Sequence, residues 1–252
     1  MHKKMIALFF NGLIISSWTN AQDLFDLKIN DTVTGQISLG KKNLPLPPGN
    51  WTVAVRFDSN GTHTYSSDQS ITIPIANALL AKVTPSGQIS GLIRFIANEK
   101  DWPGATNWSD DPCSYAKTKT SYFHTRFNSS FNFPECLVIR PVINFAQTTG
   151  YFGDLRNWAN QNHADLPPVM IYSDYERFTS QGFIKASVWF NPELAGFKRD
   201  NEQMLAQNSW NVDKIDETKK LYLIKIQDWS SNFAAQIRES SKGNPASLPA
   251  LP

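Results

Sequence analysis

Thr84-Pro85-Ser86-Gly87-Gln88-Ile89 joins two long apolar runs, and this stretch decides how the sequence folds. Residues 70–84 and 89–98 are rich in β-branched and aliphatic side chains, which favour strands. Pro85 stands where the second position of a β-turn needs a fixed φ angle. The pattern predicts an antiparallel hairpin over 70–98, although residues 76–81 in its first arm also fit one helical turn.

Further strands are predicted on both sides of this hairpin. Residues 51–57, with the sequence WTVAVRF, alternate apolar and polar side chains as a half-buried strand does. Residues 169–178 and 183–190 predict a second hairpin across the turn 179–182. Asn191-Pro192-Glu193 would stop its return strand, because proline cannot continue a strand ladder. Sequential hairpins of this kind favour an antiparallel sheet of about eight strands.

Two helices are predicted beside the sheet. A short helix near 149–163 would be capped by Thr148 or Thr149. A long amphipathic helix near 217–241 would begin at the N-cap Asp216 and stop at Gly243. Its apolar residues recur at helical spacing: Tyr222, Ile226, Trp229, Phe233 and Ile237. The fold class is therefore α+β, with a single domain over 22–243 and a proline-containing, disordered tail over 244–252.

Residues 1–21 have the pattern of a cleavable signal peptide. Lys3 and Lys4 precede the apolar run 5–15, and the small residue Ala21 fits a cleavage site. The run is shorter than the roughly 20 apolar residues that span a bilayer, and no later stretch comes closer. We therefore expect a periplasmic or secreted protein with no membrane span after cleavage.

Charge argues against nucleic acid as a partner. The chain holds 24 Lys and Arg against 22 Asp and Glu, and cleavage would remove Lys3 and Lys4 but no acidic residue. A formally neutral domain without a block of basic residues lacks the electrostatic footprint that phosphate backbones require.

The two cysteines, Cys113 and Cys136, predict a disulfide bond, because thiol pairs oxidise in exported proteins. Such a bond would tie an irregular loop to the strand 137–143 and would stabilise the fold by about 3 kcal/mol. The alternative is a catalytic cysteine with His124 as its base, which needs a free thiol.

Few residues point to catalysis. The sequence has no GxSxG elbow, no histidine pair with metal-ligand spacing and no calcium loop, so no cofactor or metal is expected. Asp174 and Glu176 are weak catalytic candidates, because they share one face of a predicted strand and carboxylate pairs act on glycosidic bonds.

Aromatic residues crowd into the loop-like stretch 102–133. Such side chains can stack on sugars or anchor a protein partner, or they can form a satellite core under the loop. The ligand-binding candidates among them are Trp102, Trp108, Tyr115 and Tyr122.

Three segments resemble a group of exported bacterial proteins without an established activity. They are LPLPPGNWTV at 44–53, Asn191-Pro192-Glu193 after a late strand, and Ser209-Trp210 before a helix that contains Trp229. The resemblance implies a periplasmic or secreted setting. We expect a non-catalytic binding or accessory protein with an envelope or extracellular partner or glycan. A hydrolase of an envelope or extracellular polymer, and a purely structural role, are the alternatives.

Overall fold

The computed structural model describes residues 21–39, 42–66, 69–101, 111, 113–114, 120–128, 130, 133–143, 150–206 and 209–252. Residues 1–20 of the expected signal peptide 1–21, and the loop candidates Trp102, Trp108 and Tyr115, lie outside these ranges. Along the described chain, none of the helices has the length and apolar character needed to cross a bilayer.

The hairpin over 70–98 is confirmed and lies at the centre of the fold. Strands β6 (Gln69–Val83) and β7 (Ile89–Asn98) pair antiparallel. The Gly87 amide donates to the Thr84 carbonyl over 2.9 Å, which closes the turn around Pro85. Residues 76–81 are strand and not a helical turn, because their backbone pairs with both neighbouring strands.

Within the part of the chain that the structure describes, eight strands form the main sheet, in the order β2-β5-β6-β7-β11-β10-β9-β8, and all neighbours are antiparallel. This confirms the predicted α+β class with a mainly antiparallel sheet. The remaining strands of this sheet are β2 (Thr32–Val33), β5 (Trp51–Ser66), β8 (Phe123–Asn128), β9 (Glu135–Ile143), β10 (Val169–Thr179) and β11 (Gly182–Phe190).

A small second sheet, which the sequence did not predict, has the order β1-β3-β4. Its strands are β1 (Gln22–Asp23), β3 (Gln36–Leu39) and β4 (Lys42–Pro45). The LPLPPG segment begins at the end of β4 and continues beyond it: Leu44 and Leu46 are buried, and the Trp51 indole donates to the Pro47 carbonyl over 2.8 Å. This segment therefore has a packing role.

Among the described residues, the helices with defined bounds are α1 (Tyr151–Gln161), α2 (Glu202–Ala206) and α3 (Glu217–Ser241), and a 3₁₀ turn (Pro192–Ala195) follows β11. In α3, Asp216 accepts from the Lys219 amide as the expected N-cap, and Gly243 follows the helix with φ 86°. In α1 the N-cap is Gly150, which has no side chain to offer, while Thr148 and Thr149 lie outside the described residues.

The two faces of the main sheet pack differently. Helix α3 and the small sheet cover one face, and the cluster there extends from Leu24 to Leu248. Helix α1 covers only part of the other face, through Leu155, Trp158 and Ala159. This second face is the one that carries Asp174 and Glu176.

The Cys113–Cys136 disulfide is present, with Cα atoms 5.8 Å apart. Cys136 lies on β9, so the bond ties the segment around Cys113 to the sheet, as the sequence predicted. The catalytic-cysteine alternative is therefore wrong, because neither thiol is free.

Residues 244–252 pack against the domain, contrary to the expectation of a disordered tail. Leu248 is 7% exposed and joins the cluster on the α3 face, and Leu251 packs against the same cluster. The sequence signal was misleading because three prolines prevent helix and strand pairing but do not prevent docking of an extended chain.

Candidate functional site

Strand register brings charged residues together on the face that α1 leaves partly open. Asp174 on β10 is paired with Ser187 on β11, and Ser187 is paired with Arg94 on β7. Two residues further along β10, on the same face, Glu176 is paired with Lys185. Side chains directly opposite each other on one face lie about 5 Å apart at Cβ. We call these five residues the charged strip.

Lys185 is the centre of the charged strip. Its Nζ atom lies 2.9 Å from Asp174 Oδ2 and also forms an ion pair with Glu176 Oε1. The carboxylate side chains are only 7% and 11% exposed, whereas that of Lys185 is 28% exposed. One ammonium group is therefore the shared counterion of two nearly buried carboxylates, and the more exposed lysine lies on the solvent side of the site.

Hydroxyl groups complete the polar contacts. Ser187 Oγ donates to Asp174 Oδ1 over 2.7 Å, and the Tyr172 hydroxyl lies 3.4 Å from Ser187 Oγ. Ser187 is fully buried. Because each buried group has a partner, the arrangement avoids the cost of leaving a polar atom unpaired.

The two carboxyl groups have opposite pKa shifts. Burial by itself raises the pKa of Asp174, but the charge of Lys185 and two hydroxyl donors outweigh burial and hold that pKa below its ordinary value. Burial and the negative charge of Asp174 raise the pKa of Glu176 to about 7, although Lys185 opposes them. Burial lowers the pKa of Lys185, but the charges of the two carboxylates have the larger effect, so the pKa lies above its ordinary value. Of these three groups, only Glu176 has a pKa near neutral pH.

Arg94 ends the charged strip beside α1. Its Nε donates to Asn77 Oδ1 over 2.9 Å, and its guanidinium carbon lies 4.1 Å from the centre of the Tyr151 ring. The Tyr151 hydroxyl is buried and has no hydrogen-bond partner among the described residues. At this end of the strip the donor is therefore the part-buried Arg94 guanidinium, and the Tyr151 hydroxyl lies buried beside it.

A chain of aromatic rings runs from Tyr151, which contacts Arg94, to Tyr172, which lies beside Ser187. Phe57 contacts Tyr151, Tyr151 contacts Phe152 and Phe152 contacts Trp189, with centroids 5.4, 5.4 and 5.8 Å apart. Trp189 then lies 4.9 Å from Tyr172. These rings fix α1 on the sheet and leave the charged strip as the polar part of this face.

The disulfide borders the strip on its other side. Cys136 on β9 is paired in register with Glu176. Arg126 on β8 forms an ion pair with Asp111, and His124 Nε2 lies 3.3 Å from the Cys113 carbonyl oxygen. The contact of His124 is thus with the backbone at Cys113.

The predicted aromatic site does not form one cluster among the described residues. The Tyr122 hydroxyl donates to the Trp210 carbonyl, burial raises the pKa of Tyr122 above its ordinary value, and Phe123 packs on the main core. Phe127 and Phe133 are 41% and 39% exposed. Trp102, Trp108 and Tyr115 lie outside the described ranges, so the ligand-binding hypothesis for them stays a prediction.

Other candidates lie away from the strip. A cavity of about 470 Å³ between the β10–β11 turn and the end of α3 is lined by Arg177, Lys242 and Asp101, and it includes neither Asp174 nor Glu176. Among the residues that the structure describes, no three His, Cys, Asp or Glu side chains are grouped to hold a metal ion.

Lys185, Ser187 and Arg94 were missed from the sequence. The predicted hairpin over 169–190 held the information, because a turn at 179–182 sets the register that places Lys185 opposite Glu176. Comparison with known proteins adds nothing to this geometry: no family model, curated protein or solved structure matches the chain.

Proposed function

We propose that the protein is a non-catalytic binding or accessory protein of an exported compartment, periplasmic or secreted, and that the charged strip holds its ligand. The observation that carries this proposal is the position of Lys185, whose ammonium group lies between the two candidate carboxylates.

A glycoside hydrolase of the retaining type needs two carboxyl groups about 5 Å apart with the scissile bond between them. Here Lys185 Nζ is within bonding distance of both Asp174 and Glu176 and fills that space. A general base also needs a free lone pair directed at its substrate. The internal pairing of the strip favours a fixed polar surface over a reacting pair.

The donors at the edge of the strip favour a ligand rich in hydroxyl or acidic groups. Arg94 and Arg140 contact the rings of Tyr151 and Tyr172, and no ion pair joins either guanidinium to a carboxylate among the described residues. Arginine binds carboxylates in a bidentate way, and aromatic rings can stack on sugar rings. An acidic glycan of the cell envelope has both kinds of group.

The exported setting is supported by the disulfide and by the pattern of residues 1–21. Disulfides persist in the periplasm and outside the cell, whereas cytosolic thiols are kept reduced.

The test is ligand-induced thermal stabilisation across a panel of acidic and neutral envelope glycans. We expect an acidic glycan to raise Tm of the wild-type protein, and Arg94→Gln to abolish that rise. Arg199→Gln is the matched control, since Arg199 pairs with Asp165 and Glu193 away from the strip and should keep the rise. No rise with any glycan, or an equal loss in both variants, would refute the proposal.

One observation favours the alternative, a hydrolase of an envelope or extracellular polymer. The pKa of Glu176 is raised to about 7 while that of Asp174 is lowered, and such divergence is typical of an acid and a nucleophile in one site. Release of reducing ends from an envelope polymer, lost in both Asp174→Asn and Glu176→Gln, would establish this alternative and overturn the binding proposal.

A further inference from the structure

Segment 244–252 is bound to the domain as an extended peptide in a groove. The Trp229 indole donates to the Ala250 carbonyl over 2.8 Å and makes a longer contact of 3.4 Å to the Pro249 carbonyl. The segment forms neither helix nor strand, so its carbonyl oxygens are free to accept from side chains. An indole N–H that binds the backbone of a proline-containing peptide is a recurring recognition mode.

The apolar contacts of the segment come from two leucines. Leu248 is nearly buried, and Leu251 Cδ1 lies 2.4 Å from the position that a Cβ atom on Gly91 would take. Trp51 lies 3.7 Å from the same position, so the absent side chain of Gly91 leaves the space that Leu251 fills. A polyproline II helix repeats every three residues, which brings leucines at this spacing to one side.

The groove is held in shape by the core beneath it. The Trp229 ring stacks on Phe233 with centroids 5.3 Å apart, and it meets the edge of Phe190 at the same distance. Phe190 and Phe233 belong to β11 and α3 and are fully buried, or nearly so. These contacts do not involve the segment, so the groove can exist without its occupant.

Polar contacts before the leucines are few. Asn244 Nδ2 donates to Glu239 Oε2 over 2.7 Å, and the Ser247 amide donates to Gln236 Oε1 over 3.2 Å. Both lie at the exposed surface, where such hydrogen bonds contribute little. Binding of the segment therefore depends on Leu248, Leu251 and the Trp229 indole.

We propose that the groove formed by Trp229, Trp51, Phe190 and Gly91 is a peptide-binding site for extended Leu-Pro-Ala-Leu-Pro sequences, and that segment 244–252 is its resident, exchangeable ligand. The site is separate from the charged strip, which lies on the opposite face of the sheet.

The experiment separates the segment from the folded domain. A protease recognition sequence is inserted between Gly243 and Asn244, the folded chain is cleaved, and the released peptide is removed by dialysis. A fluorescent peptide with the sequence of residues 244–252 is then titrated against the stripped and the uncleaved protein. We expect saturable binding to the stripped protein and at least about tenfold weaker binding to the uncleaved one, because the tethered segment competes at high effective concentration.

Peptide variants test the contacts. Replacement of both Leu248 and Leu251 by Ala should weaken binding at least about tenfold, since the changes remove most of one buried and one partly buried leucine side chain. A Pro245→Ala peptide is the matched control and should bind as the wild-type peptide does. A stripped protein that keeps its far-UV circular dichroism but does not bind the peptide would refute the proposal, and so would equal binding by the uncleaved protein.

A second measurement covers the case in which the stripped domain unfolds. In the uncleaved chain, Gly91→Ala should expel Leu251 and Trp229→Phe should remove the indole donor. Both should speed tryptic cleavage after Lys242 at least several-fold, because release of the segment frees the chain beyond this bond to enter the protease in an extended form. Cleavage at the wild-type rate in both variants, with unchanged circular dichroism, would overturn the proposal.

Discussion

Lys185 Nζ lies 2.9 Å from Asp174 Oδ2. The same ammonium group also binds Glu176, so Lys185 is the shared counterion of both carboxylates in the strip. Removing a shared counterion is more damaging than removing an ordinary surface charge, because it leaves two nearly buried carboxylates without compensation.

Lys185→Met should therefore lower the free energy of unfolding by about 3 kcal/mol at neutral pH. Urea denaturation followed by circular dichroism measures this loss. Lys225→Met is the matched control, since Lys225 is exposed on α3, and its effect should stay within about 0.5 kcal/mol. Equal stabilities of the two variants would show that Lys185 does not neutralise the carboxylates.

Glu176 should make stability fall as the pH rises. A carboxyl group whose pKa is higher in the folded than in the unfolded state binds its proton more tightly when folded, so its contribution is present at low pH and is lost with rising pH. For Glu176 the loss runs from the ordinary pKa of 4.5 to about 7. Asp174 acts in a separate window, because its lowered pKa places its loss of stabilisation below 3.8.

Glu176→Gln removes this titration. Relative to wild type, the variant should gain about 2 kcal/mol in the free energy of unfolding between about pH 5 and about pH 8. Urea denaturation at both pH values gives the difference. Glu202→Gln on α2 changes an exposed carboxyl and serves as the control, whose profile should follow that of the wild type. A Glu176→Gln profile parallel to the wild type would contradict the raised pKa.

Replacing Cys113 and Cys136 together by Ser should lower the free energy of unfolding by about 3 kcal/mol, because the open chain gains loop entropy. Denaturation of the wild-type protein with a reducing agent should reproduce this loss, and the double variant should not respond to the agent. A reductant effect that persists in the double variant would mean that the disulfide is not its target.

Asp216→Ala should cost about 1 kcal/mol, since the Lys219 amide at the start of α3 loses its acceptor. The drop in Tm by circular dichroism measures it. Asp213→Ala is a suitable control, because the contact of Asp213 with Asn211 uses the Asp213 backbone and survives the change. Similar losses in both variants would argue against the capping role.

Local sequence signals were sufficient for much of the fold. The turn at Pro85, the cap at Asp216 and the Cys113–Cys136 bond each depend on residues whose chemistry is visible in the sequence. The charged strip needed more, because Asp174 and Glu176 acquire their properties from Lys185 only once β10 and β11 pair in a defined register.

Docking of Leu251 against Gly91 could not be predicted, since a glycine in a strand and a leucine between prolines carry no pattern that relates them. Such contacts between distant parts of the chain depend on the assembled core. The small sheet was missed for the same reason, because β1 pairs with β3 in parallel over only two residues.

The register of β9 with β8 shifts between Arg126 and Asn128. Of the strands that the structure describes, β8 is the last of the main sheet, and the opposite end is the two-residue strand β2. A bulge and a charged side chain on a terminal strand interrupt the straight row of backbone groups that a second molecule would need for pairing. The β8 border of the main sheet is thus a poor template for fibril growth, and addition of a foreign strand to this border should be unfavourable.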